Sequence, residues 1–385
     1  AVEAGMQGAM LAPTEILARQ HHDTLRKMTS GLPIEIAILT GREKGKVREA
    51  TLMGLADGSI DILVGTHAIF QEAVRYKALG LAVIDEQHRF GVAQRMMLAN
   101  KAERAPHLLV MTATPIPRTL TLTYYGEMDV SRLDEMPPGR QPIQTLVMAA
   151  SRLDEVVDAL ARHVDGGGQA YWVCPLVEES ETSDQAAAEA RAESLRLRFG
   201  ERVGLVHGRM KGPEKDAAME AFAGNRTQIL VATTVIEVGV DVPNSSLIII
   251  EGADRFGLAQ LHQLRGRVGR GDKSSTCLLL RGNALGETSR ARLALMRETN
   301  DGFRIAEEDL KLRGAGEVLG TRQSGDAVMK LATPEHVAAP VDAARDDAHL
   351  LIERDGGLDS ARGQAARTCL YLFEKDAAVG LLRGG

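Results

Sequence analysis

Two α/β domains, each built on a parallel β-sheet, followed by a mainly helical region, are what this sequence predicts. Short β-branched runs, apolar on both faces, alternate with longer amphipathic stretches, as strands covered by helices on either side must. The runs fall into two series, which means two α/β domains rather than one. Between the series lies Met136-Pro-Pro-Gly-Arg-Gln-Pro142, whose prolines and glycine stop regular structure. The expected division is residues 1–140, 141–285 and 286–385.

The elements follow in order. An Ala-rich stretch at Ala1 reads as the end of a helix and leads into a buried strand, Gly8-Ala-Met-Leu-Ala12. A domain rarely begins halfway through a helix. The first domain is therefore expected to be truncated on its N-terminal side, leaving an open sheet edge prone to aggregation. Its further strands are Ile34–Thr40, Ile60–Thr66, Leu81–Asp85 and His107–Thr112. The second series is Ala170–Cys174, Val203–His207, Gln228–Ala232, Leu247–Glu251 and Cys277–Leu280. Helices are expected over Glu15–Met28, Glu43–Leu55, Ser151–His163 and Pro213–Phe222, with Ser151 followed by Asp154 as a helix start. After about residue 285 the pattern turns helical, with a Gly-rich interruption over Arg313–Gly325.

Bulk properties exclude several classes. At 385 residues with 44% apolar and 25% charged side chains, the chain is an ordinary globular one. No apolar run reaches the length of a membrane span, and the start does not read as a signal peptide. Cys174, Cys277 and Cys369 are far apart with no C-x-x-C pair, which argues against a disulfide framework or a zinc site and for a reducing cytosol. The net charge of −6 announces no polyanion partner, but residues 255–330 carry 14 basic and 9 acidic side chains. That Arg-rich stretch suits a solvated surface or polyanion binding about equally.

Chemistry is expected at the carboxyl ends of the strands, where open parallel sheets bind ligands. Leu81-Ala-Val-Ile-Asp85-Glu86-Gln87-His88 delivers two adjacent carboxylates to such an end. Asp85 can hold Mg²⁺, directly or through water, and the next carboxylate can deprotonate a water that attacks a γ-phosphate. The same residues also suit a polar turn in which Asp85 caps the following helix. Zinc fits less well, because H-E-x-x-H needs a second His. Gln263-Leu-Arg-Gly-Arg-Val-Gly-Arg270 sets three guanidinium groups, suited to phosphate oxygens, among glycines that let the backbone approach a ligand; an Arg-rich helix end at the surface reads the same way. Small hydroxyl residues close other strands: Pro13-Thr14, Gly65-Thr66, Thr112-Ala113-Thr114 and Thr233-Thr234. They can hold phosphates at helix starts, or simply cap helices.

Three tempting signals fail. Gly41-Arg-Glu-Lys-Gly-Lys-Val47 is too short for a phosphate loop, and no Ser or Thr follows its Lys. Gly314-Ala-Gly316…Gly320 is not a dinucleotide fingerprint. His21-His22 lies in a helical stretch without acidic or Cys partners at metal spacing, and is expected at the surface.

Taken in order, these segments resemble the motif set of superfamily 2 helicases. Ala12-Pro-Thr14 resembles motif Ia, Gly65-Thr66 Ib, Asp85-Glu-Gln-His88 II, Thr112-Ala-Thr114 III, Val206-His-Gly208 IV, Thr233–Asp241 V and Gln263–Arg270 VI. Asp85–Gly91, Ala113–Leu120, Gly302–Glu307 and Asp309–Gly325 narrow the resemblance to the RecG family of branched-DNA translocases. The last segment resembles the TRG element that RecG shares with the transcription-repair coupling factor Mfd. Gln87 and Gly320-Thr-Arg-Gln323 favour RecG.

The resemblance implies two RecA-like domains with ATP and Mg²⁺ between them. It implies that Asp85 binds Mg²⁺, that Glu86 activates water with Gln87 and His88 in the same motif, and that Arg267 and Arg270 reach the phosphates. Gly239, Asp241, Gln263, Thr112 and Thr114 would line the nucleotide site. Pro13, Thr14, Thr66, His207, Gly208 and Thr233 would touch the DNA backbone, with Arg313, Arg322 and Gln323 as levers on duplex DNA. It further implies a monomeric, cytoplasmic bacterial protein acting on stalled forks and Holliday junctions in recombination and repair, meeting single-stranded DNA-binding protein at forks. The family's Q-like element, G-x-x-x-x-G-K-[ST] loop and OB-fold wedge would precede Ala1. The alternatives are a DNA-binding module without ATPase activity, or an Mfd-like motor pushing RNA polymerase.

Overall fold

The computed structural model describes residues 1–86, 106–112, 130–133, 135–137, 139–175, 181–233, 242–318 and 341–372, apart from the side chains at 181–184, 310, 313–318 and 341–342. The chain forms two compact units, Ala1–Thr114 with Pro137–Asn300, and Pro115–Met136 with Asp301–Gly385.

The first unit carries two all-parallel sheets. The first is built from β1 (Gln7–Leu11), β2 (Ile36–Leu39), β3 (Ile62–Gly65), β4 (Leu79–Ile84) and β5 (His107–Val110) in the order β2-β3-β1-β4-β5. Helices α1 (Glu15–Met28) and α2 (Gly45–Asp57) make the crossovers from β1 to β2 and from β2 to β3. The second sheet runs β6 (Gln144–Ala149), β11 (Thr276–Arg281), β10 (Ser245–Ile250), β7 (Gln169–Val173), β9 (Ile229–Ala232) and β8 (Val203–Val206). Its helices are α3 (Leu153–Asp165), α4 (Glu181–Phe199), α5 (Gly212–Ala223), α6 (Leu258–Arg265) and α7 (Glu287–Glu298). The second unit carries the helices α8 (Gly302–Val318), α9 (Val341–Arg354) and α10 (Ala361–Leu372).

Central strands are buried along their length, as their unbroken apolar runs require. Every residue of β7 and of β9 is buried, and Trp172, Val173, Leu230 and Val231 are fully so. The helices start for local reasons. The Thr14 hydroxyl accepts the Leu17 amide at 3.4 Å to cap α1. Glu214 reaches back to the Lys211 amide at 3.0 Å at the start of α5, behind Pro213.

Three local expectations need correction. Strand β6 was not among the expected strands. It is an edge strand with alternating exposure, and it follows directly on the proline-rich segment, so no buried run marks it. Ser151 does not cap α3: Ala150–Arg152 forms a 3-10 turn, and the α-helix begins at Leu153 with no side-chain cap. Arg152 instead pairs with Glu155 at the helix start, Nε to Oε1 at 2.8 Å. The Gly-rich interruption does not begin at Arg313, because α8 continues through Gly314 and Gly316 to Val318. An interior glycine costs a helix about 1 kcal/mol, too little to end one supported elsewhere.

The loop after β2 is held by ion pairs rather than shaped for phosphate. Glu43 accepts from the Thr40 amide and hydroxyl, both at 2.6 Å, and from Arg19 at 2.9 Å. Arg42 pairs with Glu15 at 2.9 Å and with Asp216 on α5, tying the two sheets of this unit together. Among the described residues strand β5 pairs only with β4, and its Leu108 and Leu109 are exposed, so an apolar strand stands at this sheet edge.

Candidate nucleotide and nucleic-acid site

The first sheet delivers Asp85 and Glu86 to the carboxyl end of β4, one strand in from the edge. The Asp85 amide still donates to the Leu11 carbonyl at 3.0 Å, so the backbone is tied to β1 where the side chains turn polar. Asp85 Oδ1 accepts the Glu86 amide at 2.9 Å. Glu86 has φ 52°, in the left-handed region, which costs a side-chain-bearing residue on the order of 1–2 kcal/mol. Such conformations concentrate at functional sites, where the fold imposes them.

The second carboxylate oxygen of Asp85 meets a residue that sequence spacing did not connect to it. His21 Nε2 lies 2.8 Å from Asp85 Oδ2. His21 was expected at the surface without an acidic partner; it is half-buried and paired instead. The partner lies 64 residues away, beyond the reach of any local spacing rule. The neighbouring His22 is half-buried as well, and its Nδ1 lies 3.2 Å from the adjacent Asp23.

This donor set fits a magnesium site. A carboxylate has room for about four hydrogen bonds or ligands, and among the described residues Asp85 uses two, leaving hard oxygen lone pairs for a cation or its waters. Thr112 follows β5, half-buried. Gln87, His88, Thr114, Gly239, Asp241, Arg322 and Gln323 lie outside the described residues, as does the side chain of Arg313.

In the second sheet, α6 and the turn after it carry the arginine segment. Gln263 and Arg270 are half-buried and Arg267 is buried. The Arg270 Nε donates to the Gly266 carbonyl at 3.2 Å. Gly269 has φ 77° and lies against Ile143, so the turn requires glycine there. Arg265, the first arginine of the segment, is a residue to which sequence reasoning gave no role of its own. It is 2% exposed, and its Nη1 donates to the carbonyls of Met296 and Thr299, each at 2.8 Å, capping the end of α7. Burial pushes its guanidinium pKa down from the usual value. Neutral carbonyl partners of this kind carry no sequence signature.

Pro13 and Thr14 are half-buried at the start of α1. Thr66, His207 and Thr233 are buried at the ends of β3, β8 and β9. His207 Nε2 lies 3.6 Å from Glu189 on α4, while Gly208 is exposed and its carbonyl accepts from Lys215 at 2.6 Å. Within the basic stretch, Arg281, Arg290 and Arg297 line one open hollow of about 390 Å³ with Asn283.

A second strand-end carboxylate was not singled out in the sequence. Glu251 follows β10 and accepts from Arg191 Nη2 at 2.6 Å, Arg191 Nε at 3.0 Å and Trp172 Nε1 at 3.0 Å. Burial pushes the neighbouring Cys174 thiol up to about 12, with the Glu251 charge adding to the shift.

With this geometry in place, similarity to known proteins is decisive. The chain is 52% identical over 337 residues to the ATP-dependent DNA helicase RecG of Escherichia coli K12, covering 86% of this chain and 49% of that protein. The chain belongs to the RecG family. The RecG of Bacillus subtilis is 49% identical over 359 residues, covering 92% of this chain and 52% of that protein. Three family models divide the RecG-like chain between them. A DEAD/DEAH box helicase model matches residues 1–123, a helicase conserved C-terminal domain residues 151–272, and the C-terminal part of domain 3 of ATP-dependent DNA helicase RecG residues 299–368. A RecG bound to a three-way DNA junction superposes with TM-score 0.69 at 40% identity, covering 89% of this chain and 44% of that one. Yeast Dbp5 bound to RNA and ADP BeF3 superposes with TM-score 0.57 at 15% identity, covering 80% and 81%, which shows the helicase fold alone. The chain spans about half the length of the curated RecG relatives it matches.

Proposed function

We propose that this chain is the motor portion of a RecG protein: an ATP-dependent helicase and double-stranded DNA translocase that acts on branched DNA. The observation that carries the reading is the carboxylate pair Asp85–Glu86 at the end of β4 in a chain of this family. Asp85 would hold Mg²⁺, and Glu86 would accept a proton from the attacking water. ATP would supply the phosphoryl group, and Mg²⁺ would neutralise charge on its phosphates. Arg267 and Arg270 would stabilise the negative charge that develops during transfer, with Gln87, His88, Gln263, Gly239, Asp241, Thr112 and Thr114 around the nucleotide. The DNA backbone would run past Pro13, Thr14, Thr66, His207, Gly208 and Thr233. Backbone contacts of this type are blind to sequence, as a translocase requires. For the buried Thr66, His207 and Thr233, the contact would be made by main-chain groups. Arg313, Arg322 and Gln323 would couple closure of the motor, at residues 1–140 and 141–285, to duplex movement through the region 286–385. Stalled forks and Holliday junctions are the proposed substrates, single-stranded DNA-binding protein the proposed partner, and a cytoplasmic monomer the proposed form.

The test is ATP hydrolysis by the full-length protein carrying this chain, with and without forked DNA, beside Glu86→Gln. DNA-stimulated turnover that the substitution lowers at least about 100-fold is the expected result. A folded full-length protein that binds forked DNA but hydrolyses no ATP would leave a DNA-binding module as the function instead.

A further inference from the structure

We propose that His21 is a positioning residue for Asp85, and that α1 links this carboxylate to the chain segment at its own N-terminal end. The inference rests on the reading of Asp85 as a magnesium ligand and of Pro13 and Thr14 as DNA contacts, and adds to it a residue and a route.

The contact is specific. His21 Nε2 and Asp85 Oδ2 are 2.8 Å apart, both side chains partly sheltered from water. A carboxylate rotates easily about its last torsion, so an oxygen that holds a cation needs its orientation set by neighbours. The Glu86 amide fixes Oδ1, and His21 fixes Oδ2. Without His21, Asp85 would keep, among the described residues, the bond from its neighbour in sequence.

The route is short and stiff. β1 ends at Leu11, whose carbonyl accepts the Asp85 amide. The chain then passes Pro13, and Thr14 caps α1 through its hydroxyl. Two turns along, α1 presents His21 to Asp85. The helix is seated on the first sheet through Ala18, fully buried with Ile36 and Val64. The path Leu11–Thr14–α1–His21–Asp85–Leu11 closes on itself, and each link is a backbone segment or a hydrogen bond under 3.5 Å. A shift at the start of α1 therefore moves His21 relative to β4, and with it the plane of the Asp85 carboxylate.

The experiment uses the full-length protein and its His21→Leu, His21→Gln and Asp85→Asn variants. Binding of a fluorescent non-hydrolysable ATP analogue is titrated with Mg²⁺, with and without forked DNA, and melting temperatures are recorded alongside. His21→Leu is expected to raise the Mg²⁺ concentration for half-maximal binding about tenfold, and to shrink the shift that DNA produces in the wild type. His21→Gln, whose amide nitrogen reaches nearly as far as Nε2, is expected to recover most of both. A wild-type midpoint in His21→Leu overturns the positioning role, as does an equal loss in His21→Leu and His21→Gln. A raised midpoint with an intact DNA-induced shift overturns the link to the start of α1. If Asp85→Asn keeps the wild-type Mg²⁺ dependence, the assignment of Asp85 itself fails, and the proposal with it.

Discussion

Asp85 and Glu251 sit in matching places with different surroundings. Each follows an apolar run, Leu81-Ala-Val-Ile84 or Leu247-Ile-Ile-Ile250, and each lies at the carboxyl end of an inner strand of a parallel sheet. Glu251 accepts three hydrogen bonds from Arg191 and Trp172, so its charge is neutralised by a guanidinium that holds both oxygens. Asp85 accepts from His21 and a backbone amide, and is followed by a residue held in the left-handed region. A strand-end carboxylate is thus a structural strut when a guanidinium of its own chain holds both its oxygens. It is a candidate ligand-binding group when its oxygens keep lone pairs to spare.

That contrast can be broken from either end. The largest expected effect is on turnover: Glu86→Gln in the full-length protein lowers ATP hydrolysis at least about 100-fold while its denaturation midpoint stays near wild type. Glu251→Gln does the reverse. It strips the charge from a pair whose Arg191 is largely buried, and is expected to cost about 3 kcal/mol in chemical denaturation. If Glu251→Gln is as stable as wild type, the strut reading is wrong. Gly65→Ala, at the end of β3, is expected to cost about 1–3 kcal/mol, because its Cβ would fall 2.2 Å from the Leu39 carbonyl oxygen. Trp172→Phe keeps most of the packing and removes one donor to Glu251, so a smaller loss of about 1.5 kcal/mol is expected in the same assay.

The smallest effect sharpens the comparison through pH. Burial opposes the charge on Glu43, but the Thr40 hydroxyl and amide and Arg19 outweigh it and hold the carboxyl below its ordinary 4.5. A folded-state pKa below the unfolded one means that the unfolded chain takes up the proton first on acidification. The stabilisation is therefore fully present above about 4.5 and is lost as pH falls through the folded value. Wild type should exceed Glu43→Gln in stability at neutral pH, and the two should converge in acid. Curves that stay parallel would show that the Glu43 carboxylate does not support the loop after β2.

Much of the fold could be read from the chain because parallel strands buried on both faces leave unbroken apolar runs. Every expected strand appears, and α1 runs Glu15–Met28 as expected. β6 escaped because an edge strand buries only part of its surface, and its alternation in Gln144–Ala149 is weak. Of the candidate site, Asp85 and Glu86 were legible because strand ends and ligand ends coincide in open parallel sheets. The burial of Thr66, His207 and Thr233 was not, because a hydroxyl or imidazole after a strand reads the same whether it faces solvent or the core.

The sequence by itself determined the two parallel sheets, the chemical character of their strand ends and, through its ordered motifs, the RecG family. These depend on periodicity and on residue types at short spacing, which act locally. The tertiary structure alone decided that His21 pairs with Asp85, that Arg265 caps α7 and that Glu251 is held by Arg191 and Trp172. Each of these contacts joins residues 31 to 79 positions apart. A hydrogen bond depends on atoms meeting within about 3 Å in space, and only the folded chain sets that distance.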